Sequence, residues 1–397
     1  MNISIAKVIV TPIIATILAV FLPSKSDALT LTIPVTVSIP AQAPSETILV
    51  KTAEGKIVPS QIEHADDTVY VTWMIRKGTE TRYTLVRSTA YRKPETDPRG
   101  VEVTETKDAV DVYVGGKLFT RYVFAGSAKP YCYPIIGPTG KGITRNYPMR
   151  RVGNESTDHV HHRSLWFTHG NVNGIDFWGE SPSSGKIVHR KFERLVSGPL
   201  YGRIVAVNDW IGPDGKKVCE DTRDICVYRA ADGQIMDFKI TIRASDGPVT
   251  FGDTKEGMFG IRLADSMTVD KGKGHIQNSR GDKDAASWGR QAEWCDYYGS
   301  IDGDTVGVAI MDMPLSFRSP TYWHVRTYGL FAANPFGLRD FTGNKSMDGS
   351  YTIPSGKEIT FWYRLYIHQG TTEESRVADI YQLSTQTLEV ATTGRGF

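Results

Sequence analysis

Short stretches of alternating apolar and polar residues run through most of this chain. "LTIPVTVSI", "TVYVTWMI", "TRYTLV", "VDVYVGG", "GRIVAVNDWI", "QIMDFKITIRA", "VGVAIMDM" and "EITFWYRLYIH" are rich in Val, Ile, Thr and aromatics. Clusters of Gly, Pro, Asp and Asn separate them, which is the pattern of strands and turns. "IGPDGKK" and "AADGQ" have hairpin-turn chemistry. Helical periodicity is convincing once, in "TTEESRVADIYQLS". There Thr371 and Glu374 fit a capping box, and Val377, Ile380 and Tyr381 share an apolar face. The fold class expected is all-β: a large β-sandwich, a small N-terminal β module and one C-terminal helix. A polar segment with two prolines, "YRKPETDPRG", divides the small module, residues 29–95, from the large domain, residues 100–397.

The first 28 residues read differently. Lys7 precedes an apolar run from Val8 to Leu22, and Ser26 and Ala28 are small residues at signal-peptidase spacing. This predicts a secretory signal peptide cut after Ala28 and an exported protein, periplasmic or extracellular. The apolar run is shorter than the ~20 residues of a spanning helix, and no later segment is long enough to span. A formal charge of +2 over 397 residues argues against a nucleic-acid partner. Oligomeric state is left open. Of the four cysteines, Cys219 and Cys226 lie seven apart in one predicted strand, on opposite faces, so no disulfide joins them. The pattern does not decide whether Cys132 and Cys295 pair.

Three segments carry candidate chemistry. "DHVHHRSLWFTHGNVNGIDFW" holds His159, His161, His162 and His169 with Arg163, Trp166 and Trp178. The HxH spacing of His159 and His161 could hold a divalent metal, with His169, Glu155 or Asp158 as third ligand. A polar cluster that locks a loop is the alternative. In "FGDTKEGMFGIRLAD", Phe259, Ile261 and Leu263 alternate as a core face, and Glu256 and Arg262 project from the other, beside Asp253 and Lys255. Glu256 is then a candidate general base, and a solvated ion pair is the plainer reading. In "SPTYWHVRTYGLFAANPFG", Tyr322, His324, Arg326 and Tyr328 share one face and Trp323 and Val325 the other, with Asn334 further along. "EITFWYRLYIH" repeats the mixture with Trp362, Arg364, Tyr366 and His368. Rings that pack on sugar C–H surfaces, beside Arg and His that bond hydroxyls, suit a glycan or small sugar. No P-loop, GxSxG, HExxH or dinucleotide fingerprint occurs, which counts against phosphoryl transfer, serine hydrolysis and zincin proteolysis.

Together these three segments resemble a family of mostly exported bacterial proteins labelled "methane oxygenase PmoA", over Tyr131 to Gly370. Cys295, in "WCDYYG", stands where the family's motif has an apolar residue. The fold this resemblance implies is a large β-sandwich similar to galactose mutarotase and sugar lyases, with His, Glu and Arg on a concave sheet face over a sugar ring. The expectation is therefore acid/base chemistry of the epimerase, mutarotase, lyase or hydrolase type, with no cofactor. Glu256, His161, His162 and His324 are the expected catalytic residues. His159, Arg163, Trp166, His169, Trp178, Lys255, Arg262, Tyr322, Arg326 and Asn334 are expected to bind substrate. The competing readings are a metal enzyme using His159, His161 and His169, and a noncatalytic glycan-binding protein.

Overall fold

Five of the eight alternating stretches become strands of two eight-stranded sheets stacked face to face, and "LTIPVTVSI", "TVYVTWMI" and "TRYTLV" build the small module. The computed structural model describes residues 31–42, 46–78, 81–88, 100–230 and 233–393. The predicted signal peptide and most of the 91–100 boundary lie outside them. In the first sheet the order is Tyr322–Val325, Leu330–Asn334, Gly257–Arg262, Leu165–His169, Tyr131–Ile135, Lys117–Val123, Ala109–Val114 and Val101–Glu105. In the second it is Lys186–Val196, Tyr201–Ile211, Lys217–Arg229, Gln234–Arg243, Glu358–Gln369, Asp304–Asp312, Trp294–Ile301 and His275–Asn278. All pairings within both sheets are antiparallel. The strands on either side of both predicted turns pair, with Ile211 opposite Lys217 and Arg229 opposite Gln234.

The alternation explains the core. Phe167, Phe259, Ile261, Trp323 and Phe331 point inward from the first sheet and meet Phe238, Phe361 and Tyr363 from the second. The rings of Phe259 and Tyr363 stack at 4.8 Å, inclined by 5°. Cys219 lies in this core, whereas Cys226 faces the other side of its strand, as the odd spacing requires. All four cysteines are free thiols.

The outer face of the second sheet is also covered. A three-stranded sheet (Thr32–Pro40, Thr68–Arg76, Ser60–Ala65) and a four-stranded sheet (Glu389–Thr393, Arg82–Ser88, Thr47–Thr52, Ile57–Val58) form the small module. Its Ile33, Trp73 and Leu85 share a second core with Tyr201, Tyr228, Met311 and Tyr366. Glu63 fastens the contact by accepting from Tyr201 Oη at 2.6 Å, Arg203 at 2.9 Å and Arg194 at 3.1 Å. The strand Glu389–Thr393 runs parallel to Arg82–Ser88, so the end of the chain completes the N-terminal module's sheet.

Two details differ from the sequence reading. The Thr371–Glu374 capping box forms, with Glu374 accepting from Thr371 N at 2.9 Å, but it closes a turn. The helix itself spans Val377–Thr385 and buries Val377, Ile380 and Leu383, with Tyr381 only partly buried. A second, five-residue helix, Leu338–Thr342, was not predicted. The polar-aromatic face of "EITFWYRLYIH" is no open sheet face either. Tyr366 packs in the second core and Arg364 grips Asp237.

Candidate functional site

The outer face of the first sheet carries a row of cross-strand neighbours: Tyr131, Trp166, Gly260, Ala332 and His324. The row is bulky at its ends and nearly bare between. A Cβ at Gly260 would stand 3.0 Å from the Trp166 indole, so glycine lets that ring lie down across the sheet. The segment 145–163 folds over this row. Glu155 accepts the Asn146 and Tyr147 amides at 2.8 and 2.9 Å, and Asp265 accepts from the Ser156 amide at 2.8 Å. Glu155 is thereby spent as a loop brace.

Four rings stack in succession here. Tyr328 lies on His159 at 5.5 Å and 6°, His159 on His162 at 4.7 Å and 8°, and His162 on Trp166 at 5.2 Å and 19°. His161 and Trp178 meet the pile edge-on. Only part of the pile reaches solvent. His162, Trp166 and Trp178 are 1, 2 and 3 % exposed, whereas the His159 side chain is 42 % exposed. His162, expected to be catalytic, is therefore a buried filler, and burial and the neighbouring cationic groups push its pKa far down, keeping it neutral. Trp166 and Trp178, expected to stack on substrate, instead support the histidines. His161 is half-buried, and burial followed by Lys129 and His159 lowers its pKa to about 4.

Asp158 is the centre of the charge network. It accepts from buried Arg145 at 2.5 Å and from buried Arg262 at 3.0 and 3.1 Å, and it hydrogen-bonds His159 Nδ1. Burial alone would raise its pKa; Arg262, the His159 hydrogen bond and Arg145 outweigh it and hold the carboxyl below its ordinary range. The His159 backbone is left-handed, at φ 45, a conformation that a non-glycine residue keeps only when its surroundings enforce it. Arg262 also lies over the Tyr328 ring at 4.6 Å, so its contacts here are internal rather than with solvent. Tyr328 was in the expected polar face but not among the expected binding residues. Burial raises its pKa, Arg262 and Arg326 oppose, and Glu256 and Asp158 add to the rise. These four charges, from three sequence segments, act on one phenol. A cavity of about 280 Å³ adjoins it, lined by Ser156, Thr157, Asp158, Arg262, Asp270, Lys271 and Tyr328.

The remaining expected residues divide between rim and framework. Glu256 and Lys255 are partly exposed, with Lys255 Nζ 3.4 Å from the Glu256 carboxylate. Tyr322 is partly exposed, with Phe341 stacked on it at 5.8 Å. His324 is buried; burial, then Arg326, lowers its pKa to about 3 against the opposing Lys255 backbone. Its Nε2 accepts from Arg326 Nε at 3.3 Å, which removes it from the role of proton donor. Arg326 itself lies over Trp288 at 4.7 Å. Arg163 is committed to Glu180 through two bonds of 2.8 and 2.6 Å, and Glu180 also holds buried Lys129 at 3.0 Å. Asn334, fully buried, gives its amide hydrogens to the Thr254 and Lys255 carbonyls at 2.9 and 3.0 Å; it braces the Glu256 loop rather than a ligand.

His169 is the clear correction. It shares the inward side with Phe167, packs against Phe251 and Phe336 and donates Nε2–H to the Gly252 carbonyl at 2.8 Å. Burial lowers its pKa to about 4. The trio His159, His161 and His169 is therefore not assembled, and among the described residues no three His, Cys, Asp or Glu side chains are grouped to hold a metal ion. No helix among them is long and apolar enough to cross a membrane.

The fold and site define an all-β sandwich with a histidine–carboxylate cluster on one outer sheet face. The chain belongs to a family of unknown function, DUF6807, whose model matches residues 109–382. The methane-oxygenase label finds no confirmation in that match. A search of curated proteins finds no match. Among solved structures, the chain is similar to a galactose mutarotase-like protein from Lactobacillus casei, at 9 % identity and a TM-score of 0.32, covering 68 % of this chain and 100 % of that one. A galactose 1-epimerase from Lactobacillus acidophilus matches at 8 % identity and 0.32, covering 68 % and 98 %. A glycoside hydrolase family 97 enzyme from a Pseudoalteromonas species, in complex with acarbose, matches at 10 % identity and 0.27, covering 69 % of this chain and 35 % of that one. Likeness at these scores carries no function across.

Proposed function

We propose that this protein is exported and performs acid/base chemistry on a sugar ring, with the His159–Asp158 pair as its proton-transfer unit. One observation carries this reading. Two buried arginines fix a carboxylate, and that carboxylate fixes an imidazole whose ring remains open to solvent beside a cavity. With Nδ1–H donated to Asp158, the His159 Nε2 lone pair is the free one. It can take a proton from a substrate C–H or O–H, and Asp158 stabilises the imidazolium that forms. Tyr328, kept protonated by its raised pKa, supplies a hydrogen-bonding or acidic O–H on the next ring. Glu256 and Lys255 supply a second acidic and basic pair at the rim. Thr157 gives the cavity wall a hydroxyl that sugar hydroxyls bond, and Ser156 and Lys271, which also bond Asp265, flank it. Epimerisation, mutarotation and β-elimination each require this division between base and acid.

The burial of Trp166 and Trp178 under the histidines weighs against a flat aromatic binding platform. The test is proton NMR of a mono- and oligosaccharide panel incubated with wild type and His159→Gln. Conversion of at least one sugar is expected, falling roughly 100- to 10,000-fold in the variant with the fold unchanged by circular dichroism. Full activity in His159→Gln, or no sugar converted by wild type, would refute the reading.

A further inference from the structure

A second opening lies on the opposite side of the molecule, beyond both large sheets. Where the N-terminal module rests on the outer face of the second sheet, the two do not close completely. They leave a cavity of about 620 Å³. A space of this size falls within the ~300–1,000 Å³ of small-molecule pockets.

Its wall has a defined chemistry. Trp362 is partly exposed in it, and among the described residues no other ring or cation stacks on that indole. The cross-strand register puts Lys239 beside Trp362 and Asp237 beside Arg364. Both wall arginines are neutralised by their own carboxylates in two-bond pairs: Arg203 on Asp224 at 2.7 and 2.6 Å, and Arg364 on Asp237 at 2.7 and 2.7 Å. Glu63 and Ser384 take further donors of the two guanidinium groups. Such pairs leave little net field for an ion but keep carboxylate lone pairs in fixed directions. Hydroxyls complete the lining, at Thr36, Thr72, Thr360 and Ser384.

A neutral, polyhydroxylated ligand with an apolar C–H face matches this set. The indole offers a stacking surface, the paired carboxylates and threonines offer acceptors and donors, and Lys239, exposed beside the indole, adds one ammonium donor with no carboxylate partner among the described residues. We propose that this inter-module cavity is a second, noncatalytic binding site for neutral oligosaccharide. Its position, separated from the His159 face by both sheets, lets it hold a glycan independently of events there. The proposal does not rest on the catalytic reading.

Calorimetric titration of the full protein with neutral glucan, xylan and mannan oligosaccharides, and with acidic uronate oligosaccharides, tests it. To remove any contribution from conversion, the same titrations are run on His159→Gln. Saturable binding of at least one neutral oligosaccharide is expected in both proteins. Trp362→Ala should weaken it at least tenfold. Thr36→Trp, a change at an exposed strand position that fills the cavity, should weaken it equally and covers the case in which Trp362→Ala does not fold. The proposal is overturned by absence of saturable binding to every neutral oligosaccharide, by binding confined to the acidic ones, or by affinity unchanged in the folded variants.

Discussion

Three histidines are held neutral by burial in different parts of the large domain, and acid should therefore destabilise this protein well above the carboxylate range. His162, His169 and His324 are 1, 0 and 2 % exposed, and the last two have pKa values lowered to about 4 and about 3. His162 is shifted in the same direction. The sign follows from which state binds protons first. In the unfolded chain these groups titrate near pH 6.5, whereas the folded chain refuses the proton until far lower pH. Stability is thus lost as pH falls from about 6.5 toward the folded values. Each contributes about 1.4 kcal/mol per pH unit over that window, or about 2 kcal/mol between pH 7 and 5. Three sites give about 6 kcal/mol. Asp312 opposes them. Burial raises its pKa to about 7 against hydrogen bonds from Ser316, Ser319 and Thr321, so the folded chain gains its proton first. That returns about 2 kcal/mol over the same interval. A net loss of about 4 kcal/mol is expected, a large part of the 5–15 kcal/mol that domains possess. Urea titrations followed by tryptophan fluorescence at pH 7, 6 and 5 measure it. His324→Gln, which keeps an acceptor for Arg326, should reduce the loss by about 2 kcal/mol. Stability that stays flat or rises between pH 7 and 5, or an unchanged slope in His324→Gln, would refute the argument.

Three further outcomes can be checked directly. Asp158→Ala strands the guanidinium groups of Arg145 and Arg262 without their shared carboxylate and should cost about 3–5 kcal/mol in chemical denaturation, more than the surface change Asp270→Ala. Asn334→Ala leaves two carbonyls of the Glu256 loop without their donor; a loss of about 1–3 kcal/mol and faster amide exchange at residues 254–256 are expected by hydrogen-exchange mass spectrometry. Gly260→Val forces the Trp166 indole off the sheet and should lower thermal stability and alter the tryptophan near-ultraviolet dichroism, whereas Gly142→Ala, whose Cβ would meet only the Ile135 carbonyl oxygen at 4.0 Å, should leave that band unchanged.

The strands were legible because their physics is local. The inward set Phe259, Ile261 and Leu263 and the opposed set Tyr322 and His324 against Trp323 and Val325 follow from period two alone. The same parity would have excluded His169, which shares a face with Leu165 and Phe167 in "SLWFTHG" and so turns inward; chemical identity drew attention away from position. Asp158 was harder to see. It becomes a fixed anchor only because Arg145 and Arg262 approach it from 13 residues before and 104 after, a convergence that no local spacing encodes. Asn334 was read as a ligand contact because a side chain that braces two backbone carbonyls has no sequence signature. The Trp362–Arg364 face looked open for a comparable reason: the module that covers it is built from residues some 300 positions earlier.

The parallel strand at the end of the chain bears on how the protein is made. During synthesis the N-terminal module emerges first, yet its four-stranded sheet cannot close until Glu389–Thr393 has left the ribosome. Until then the edge of Arg82–Ser88 stands unpaired through the translation of about 300 residues, a template on which another chain could add a strand. That strand edge therefore stays open to chaperones, or to mispairing with a neighbouring copy, until Glu389–Thr393 is available to cover it.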